Sequence, residues 1–198
     1  MLFCFHKAET DFIFRGARQL FGEAEEKMPR MFLDLNNPED LKKLKGQWRV
    51  AQGLVPGEAN EGLVAQLTAS PARLPDYDDS NWEICHNIRK SRSGGFTFAW
   101  YRIAVILPTE LHGISVAGTR VFLETNIDNY GEIWIDGQQD RLTGIIQGNN
   151  AQQRVEASAH AVAGARHVIA CLAANGPLSE PRGGVFLRYA TLAFESRD

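Results

Sequence analysis

The sequence predicts an all-β protein, an antiparallel β-sandwich with a short N-terminal helix or arm. Three observations carry this. Within Thr119–Gly137 (TRVFLETNIDNYGEIWIDG), Val121, Leu123, Thr125 and Ile127 alternate with Phe122, Glu124, Asn126 and Asp128, the two-residue period of a half-buried strand. About eight such segments recur along the chain, separated by clusters of turn-forming residues rather than by helical patterns. The chain has 198 residues, 44% hydrophobic and 23% charged, which suits one soluble domain with a proper core. Strands joined by turns, with no helices between them, stack as antiparallel sheets.

In order, residues 1–30 differ from the rest. Thr10 is placed to cap a helix whose apolar positions Ile13, Phe14, Ala17, Leu20, Phe21 and Ala24 follow helical spacing. This segment reads either as an amphipathic arm packed on the domain or as a poorly ordered leader before Met31. The leader is preferred, because every clear pattern begins after Met31. The domain is therefore expected to occupy residues 31–198.

Asn37–Gly46 reads as a short helix plugging one end of the sandwich. Asn37 is its N-cap, Pro38 its first helical residue and Gly46 its stop, with Glu39 and Asp40 at the positive end of its dipole. A strand at Gln47–Ala51 precedes a long loop, Gly53–Asn81. Trp82–Cys85 and Phe96–Leu107 are the next strands, the second stopped by Pro108. The Thr119–Gly137 stretch is expected to be a β-hairpin turning at Asp128–Gly131, with Asp136–Gly137 as a second turn. Ala151–Ala157, Arg166–Ala174 and Val185–Glu195 complete the set.

Charge and motifs exclude several classes of function. A net charge of −3 offers no electrostatic reason to bind nucleic acid or an anionic membrane. No apolar stretch is long enough to span a bilayer, and Leu2–Phe5 is interrupted by charge before a signal-peptide core forms. Cys4, Cys85 and Cys171 form no CxxC pair and leave one odd, so a disulfide framework is not expected. Together with the absence of any Asn-x-Ser/Thr acceptor, this points to a cytoplasmic protein. There is no Gly-x-Ser-x-Gly elbow, no His-Glu-x-x-His and no phosphate-cradling glycine loop. Asp76, Asp78 and Asp79 cluster, but without the glycine and distal Glu of a calcium loop. No metal site and no cofactor is expected from the residues.

Asp78–Asp79–Ser80–Asn81–Trp82, Trp100–Tyr101–Arg102 running to Pro108, and Val121–Phe122–Leu123 through Ile133–Trp134–Ile135–Asp136–Gly137 follow one another in a recognisable order. Ala163–Gly164 with Val168–Ile169–Ala170 and a closing Gly183–Gly184–Val185 complete the series. In this order they resemble the sugar-binding jelly-roll domain of β-galactosidase and β-glucuronidase type glycoside hydrolases, within the galactose-binding-like superfamily. The resemblance covers roughly residues 45–195. It implies a jelly-roll sandwich and a carbohydrate context, with a structural calcium as a superfamily option for which no ligand set is identifiable here. It implies no catalytic pair, because in those hydrolases acid and nucleophile sit on a separate barrel domain that this chain is too short to contain.

Strand alternation sorts the candidate ligand-binding residues by face. Trp100 and Arg102 share one face of their strand, opposite Tyr101, Ile103, Val105 and Leu107. Glu124 and Asn126 share a face, as do Glu132 and Trp134; Phe186 and Arg188 oppose Val185, Leu187 and Tyr189. Charges in the middle of strands are costly to bury unless paired, so Arg102, Glu124, Glu132 and Arg188 are expected to meet on one sheet face as two ion pairs. With Trp100 or Trp134 as a stacking platform, and Arg182 on a glycine-hinged loop at the sheet end, such a face suits a sugar. The competing explanation is an ordinary solvated face bearing exposed strand charges.

The leading functional expectation is a carbohydrate-binding or accessory module without its own catalysis, beside a hydrolase or lactonase partner protein. The alternative is a small enzyme on a sugar-derived substrate, with Arg102 and Arg188 holding an anion and Glu124 or Glu132 as general base. A third option is a structural domain that forms a homo-oligomer through an apolar sheet face.

Overall fold

The computed structural model describes residues 30–53, 56, 70–92, 97–148, 150–175 and 183–196. Its first six strands are β1 (Met31–Asp34), β2 (Arg49–Gln52), β3 (Glu83–Ile84), β4 (Thr97–Ile106), β5 (Glu110–Leu111) and β6 (Ile114–Ser115). The second half supplies β7 (Arg120–Asp128), β8 (Tyr130–Ile135), β9 (Ile145–Gln147), β10 (Gln152–Ser158), β11 (Arg166–Asn175) and β12 (Phe186–Glu195). One helix, α1 (Pro38–Lys43), and one 3-10 turn (Pro71–Arg73) complete the described elements. Among the described residues no helix is long and apolar enough to cross a membrane.

Two antiparallel sheets face each other. One has four strands in the order β1-β12-β7-β10; the other has six, in the order β3-β2-β4-β11-β8-β9, and β5 and β6 form a separate hairpin. The core between the sheets takes Leu123 and Ile127 from β7 and Leu187, Ala190, Leu192 and Phe194 from β12. Facing them are Tyr101, Ile103 and Val105 from β4 and Ile169, Cys171 and Ala173 from β11. These are the apolar halves of the sequence alternation, so the sandwich follows from the pattern. At the edges of the six-stranded sheet β3 has two residues and β9 three, which leaves little unpaired backbone there to recruit another chain.

The helix is one of the expected pieces, shorter than the pattern suggested. Asn37 caps it by accepting the Glu39 N–H at 2.9 Å, with Pro38 at its first position. It ends before Gly46 because Lys45 takes the left-handed conformation (φ +49°), and the Gly46 N–H returns to the Leu41 carbonyl. Gly46 is needed for packing instead: a Cβ there would lie 2.9 Å from Ile103 Cδ1.

The central stretch is not a hairpin. β7 pairs with β10 and β12 in one sheet, whereas β8 pairs with β9 and β11 in the other. The chain crosses between sheets at Asn129, whose N–H bonds the Ala174 carbonyl at 3.4 Å and whose amide donates to Asn175 Oδ1 at 2.8 Å. Gly131 permits the crossing, since a Cβ there would sit 2.7 Å from Ile127 Cδ1. The expected second turn does form, with Asp136 and Gly137 both at positive φ (49° and 78°), joining β8 to Gln138. Its Asp136 carboxylate accepts the Val168 N–H and meets His167 Nδ1, each at 2.7 Å.

Two further expectations change. A bulge between Leu187 and Tyr189 in β12 moves Tyr189 off the face of Leu187, so Ala190 points into the core instead. The end of the supposed long loop, Pro71–Trp82, is an ordered strap on the outer face of the six-stranded sheet. Of the proposed arm or leader at residues 1–30, residues 1–29 lie outside the described residues.

Candidate functional site

The strap is built by local chemistry. Ser70 Oγ accepts the Ala72 N–H at 3.3 Å, Pro71 opens the 3-10 turn, and the Leu74 N–H returns to the Pro71 carbonyl at 2.9 Å. Further along, Asp78 Oδ1 accepts the Ser80 N–H at 2.9 Å and the Trp82 N–H bonds the Asp79 carbonyl. The Ser80 N–H, then the Ser80 hydroxyl, pulls the Asp78 carboxyl below its ordinary range. Ala72 and Trp82 then pack on Trp100, Ala170 and Leu172, a second apolar cluster outside the main core.

Arg102 holds the strap down. The side chain leaves the outer face of β4 and is only 2% exposed. Its Nε donates to Asp79 Oδ2 at 2.9 Å and its Nη1 to the Ala72 and Leu74 carbonyls at 2.7 and 2.8 Å. Nη2 donates to the Tyr77 carbonyl at 3.3 Å, and the guanidinium lies 5.6 Å from the Tyr77 ring. One planar fork thus satisfies a carboxylate and three carbonyls, a task a lysine would not perform. The expectation that Arg102 contacts a ligand is corrected: its donors are spent inside the protein. Trp100, 2% exposed beneath the strap, is likewise no stacking platform. The aspartate trio is divided in the same way, with Asp79 on Arg102 and Asp78 on its own turn. Among the described residues no group of three or more potential metal ligands forms.

Beside the strap, three side chains of β8 line the same outer face. Tyr130, Glu132 and Trp134 are half-buried and alternate with the buried Gly131, Ile133 and Ile135. The Tyr130 hydroxyl donates to Glu132 Oε1 at 2.8 Å. Burial, and next the nearby Glu132 carboxylate, push the phenol up to about 12. The floor between this row and β4 comes from Ala170, Leu172 and Ala174, register partners of Trp134, Glu132 and Tyr130. At the far end the Arg73 guanidinium lies 5.4 Å from the Trp134 ring. An apolar floor with a phenol, a carboxylate, an indole and a guanidinium at its rim is the mixed surface that hydroxylated ligands require. Arg73 was not legible as part of this face; the Ser-Pro start of the 3-10 turn was the available signal.

Glu124 and Asn126 lie on the opposite side of the molecule, on the outer face of the four-stranded sheet. Glu124 forms ion pairs with Arg30 and Arg154, and both arginines also reach Glu195. Arg120 pairs with Glu156, and the Arg120 and Arg154 guanidinium groups lie 4.7 and 3.5 Å from the Phe122 ring. Asn126 is 1% exposed and donates to Asn150 Oδ1 at 2.8 Å. Arg188 sits in the β12 bulge, 5.3 Å from the Phe186 ring. The expected meeting of Arg102, Glu124, Glu132 and Arg188 on one face is therefore corrected. β7 and β12 belong to one sheet and β4 and β8 to the other, so the four divide two and two. Arg182 lies outside the described residues.

No family model matches the sequence, and no curated protein matches it either. Solved structures do resemble the fold. A glycosyl hydrolase family 2 member from Bacteroides cellulosilyticus superposes with a TM-score of 0.54 at 14% identity, over 76% of this chain and 20% of that one. The Bacteroides uniformis β-glucuronidase gives 0.55 at 15% identity over 84% of this chain and 18% of that one. The Faecalibacterium prausnitzii β-glucuronidase gives 0.52 at 14% identity over 89% and 33%. The chain thus spans 18–33% of the length of these enzymes, and what it shares with them is the β-sandwich fold of one part of a glycoside hydrolase.

Proposed function

We propose that this chain is a carbohydrate-binding or accessory β-sandwich module that contributes no catalytic pair of its own and acts beside a hydrolase or lactonase in the cytoplasm. The observation that carries the reading is the fold likeness, which takes in most of this chain but only a fraction of each glycoside hydrolase. The Tyr130–Glu132–Trp134 face is the proposed saccharide surface. It combines hydrogen-bonding groups with partly exposed aromatic edges over an apolar floor, as a pyranose needs on its polar and apolar sides. Calorimetric titration of the full chain with a panel of neutral and charged oligosaccharides tests it. Saturable binding that is weakened by Trp134→Ala supports the reading, and no heat with any saccharide overturns it.

The alternative of a small enzyme required Arg102 and Arg188 to converge with Glu124 or Glu132. The first arginine is consumed by the strap and the two glutamates face opposite sides, so no geometry favours that assignment.

A further inference from the structure

Two donors on the proposed saccharide face lack an acceptor. Among the described residues, the Trp134 indole N–H and the Arg73 Nε–H are both buried without a hydrogen-bond partner. They are neighbours, since the Arg73 guanidinium carbon lies 5.4 Å from the centre of the Trp134 ring. Both groups can only donate, so each needs an acceptor from elsewhere. On the strap, the Ala72, Leu74 and Tyr77 carbonyls each receive a hydrogen bond from Arg102. The Glu132 carboxylate accepts from Tyr130, two residues along β8 in the direction away from Trp134. A buried donor left unmade is costly, so a group that supplies acceptors here gains more than it would elsewhere on the surface.

The geometry points to an oxyanion as that group: the face selects saccharides carrying a carboxylate or a sulfate, with the anion received between Arg73 and Trp134. This rests on the saccharide-binding reading above and narrows it to acidic sugars. A carboxylate or sulfate offers two or more acceptor oxygens to the two N–H groups and a full charge to the guanidinium. A neutral hydroxyl offers neither the charge nor the second oxygen. Arg73 is partly exposed, and the anion is received where its guanidinium meets the Trp134 indole.

The test compares oligosaccharides that end in glucose, glucuronate or sulfated glucose, titrated into the full chain. The wild-type protein is expected to bind either anionic form about tenfold more tightly than the neutral one, the value of one charge-assisted hydrogen bond. Arg73→Gln is expected to abolish that preference, so that anionic and neutral ligands bind it with equal affinity. Rising salt should weaken only the anionic ligands. A preference for one anionic form over the other identifies which of the two the face takes. Equal affinity for charged and neutral ligands, or a preference that survives Arg73→Gln, overturns this inference but leaves saccharide binding standing. Binding of none of the three overturns both. Should Arg73→Gln fail to fold, a salt-insensitive preference in the wild-type protein refutes the role of the guanidinium by itself.

Discussion

Replacing Arg102 with Met removes one fork that serves four acceptors: the Asp79 carboxylate and the Ala72, Leu74 and Tyr77 carbonyls. Met fills much of the volume, so the loss is polar rather than a cavity. Breaking a buried ion pair by deleting one partner costs about 3–5 kcal/mol. The half-buried Asp79 regains some water, whereas the carbonyls beneath the strap do not, which keeps the expected cost in that range. For a domain of this size it lowers the melting temperature by about 6–20 °C. The damage should be local before it is global, because Ala72 and Trp82 cover Trp100 only while the strap is seated. Urea unfolding measures the stability, and limited trypsin digestion at Arg73–Leu74 reports the strap. Arg102→Lys should fall between wild type and Met, since it keeps the charge without the fork. A cost below about 1 kcal/mol, the range of a surface pair, with the Arg73 bond still resistant, would refute the anchoring role.

Three other outcomes follow from the same packing. Gly131→Ala drives a methyl to within 2.7 Å of Ile127 where the chain changes sheets, and should destabilise by about 1–3 kcal/mol in thermal unfolding. Phe122→Ala removes a ring that is 5% exposed beneath two guanidinium groups, and should cost about 3–5 kcal/mol by urea titration. Stability should also fall at high pH. Burial and then Glu132 raise Tyr130 to about 12, and burial raises Cys171 to about 12 and Tyr101 further, so each holds its proton more tightly when folded. The stabilisation is complete below the ordinary thiol value of about 9, and is lost above it, first through Cys171 and then above about 10 through the tyrosines, as the unfolded chain ionises first. Ultraviolet titration of the phenolates against chemical unfolding checks this; stability that is flat through that window would contradict it.

The alternation of apolar and polar residues made the sandwich legible, because each strand buries one side against the other sheet. Pairing was not legible. Asp128–Asn129–Tyr130–Gly131 has the composition of a hairpin turn, yet Gly131 serves a close approach to Ile127 and the chain crosses to the other sheet. Local turn chemistry does not distinguish the two, and the error carried Glu124 and Glu132 to one face. Arg102 was recognised as a charge that needed a partner. The partner was sought on neighbouring strands, whereas it came from a strap more than twenty residues earlier in sequence, through Asp79 and three carbonyls that no residue pattern records. The face of Glu132 and Trp134 was read correctly because it depends on period alone. Arg73 escaped notice because its place is set by a 3-10 turn whose docking is tertiary.

Heteronuclear NMR of the indole N–H groups tests the account most directly. Trp48 donates to the Leu35 carbonyl at 2.8 Å inside the core and serves as an internal reference, while Trp134 has no acceptor among the described residues. Addition of an acidic oligosaccharide should move the Trp134 indole resonance downfield and leave Trp48 in place. An unmoved Trp134 signal, with shifts confined to Glu124, Asn126 and Arg154 on the other sheet, would show that the binding face has been assigned to the wrong side of the sandwich.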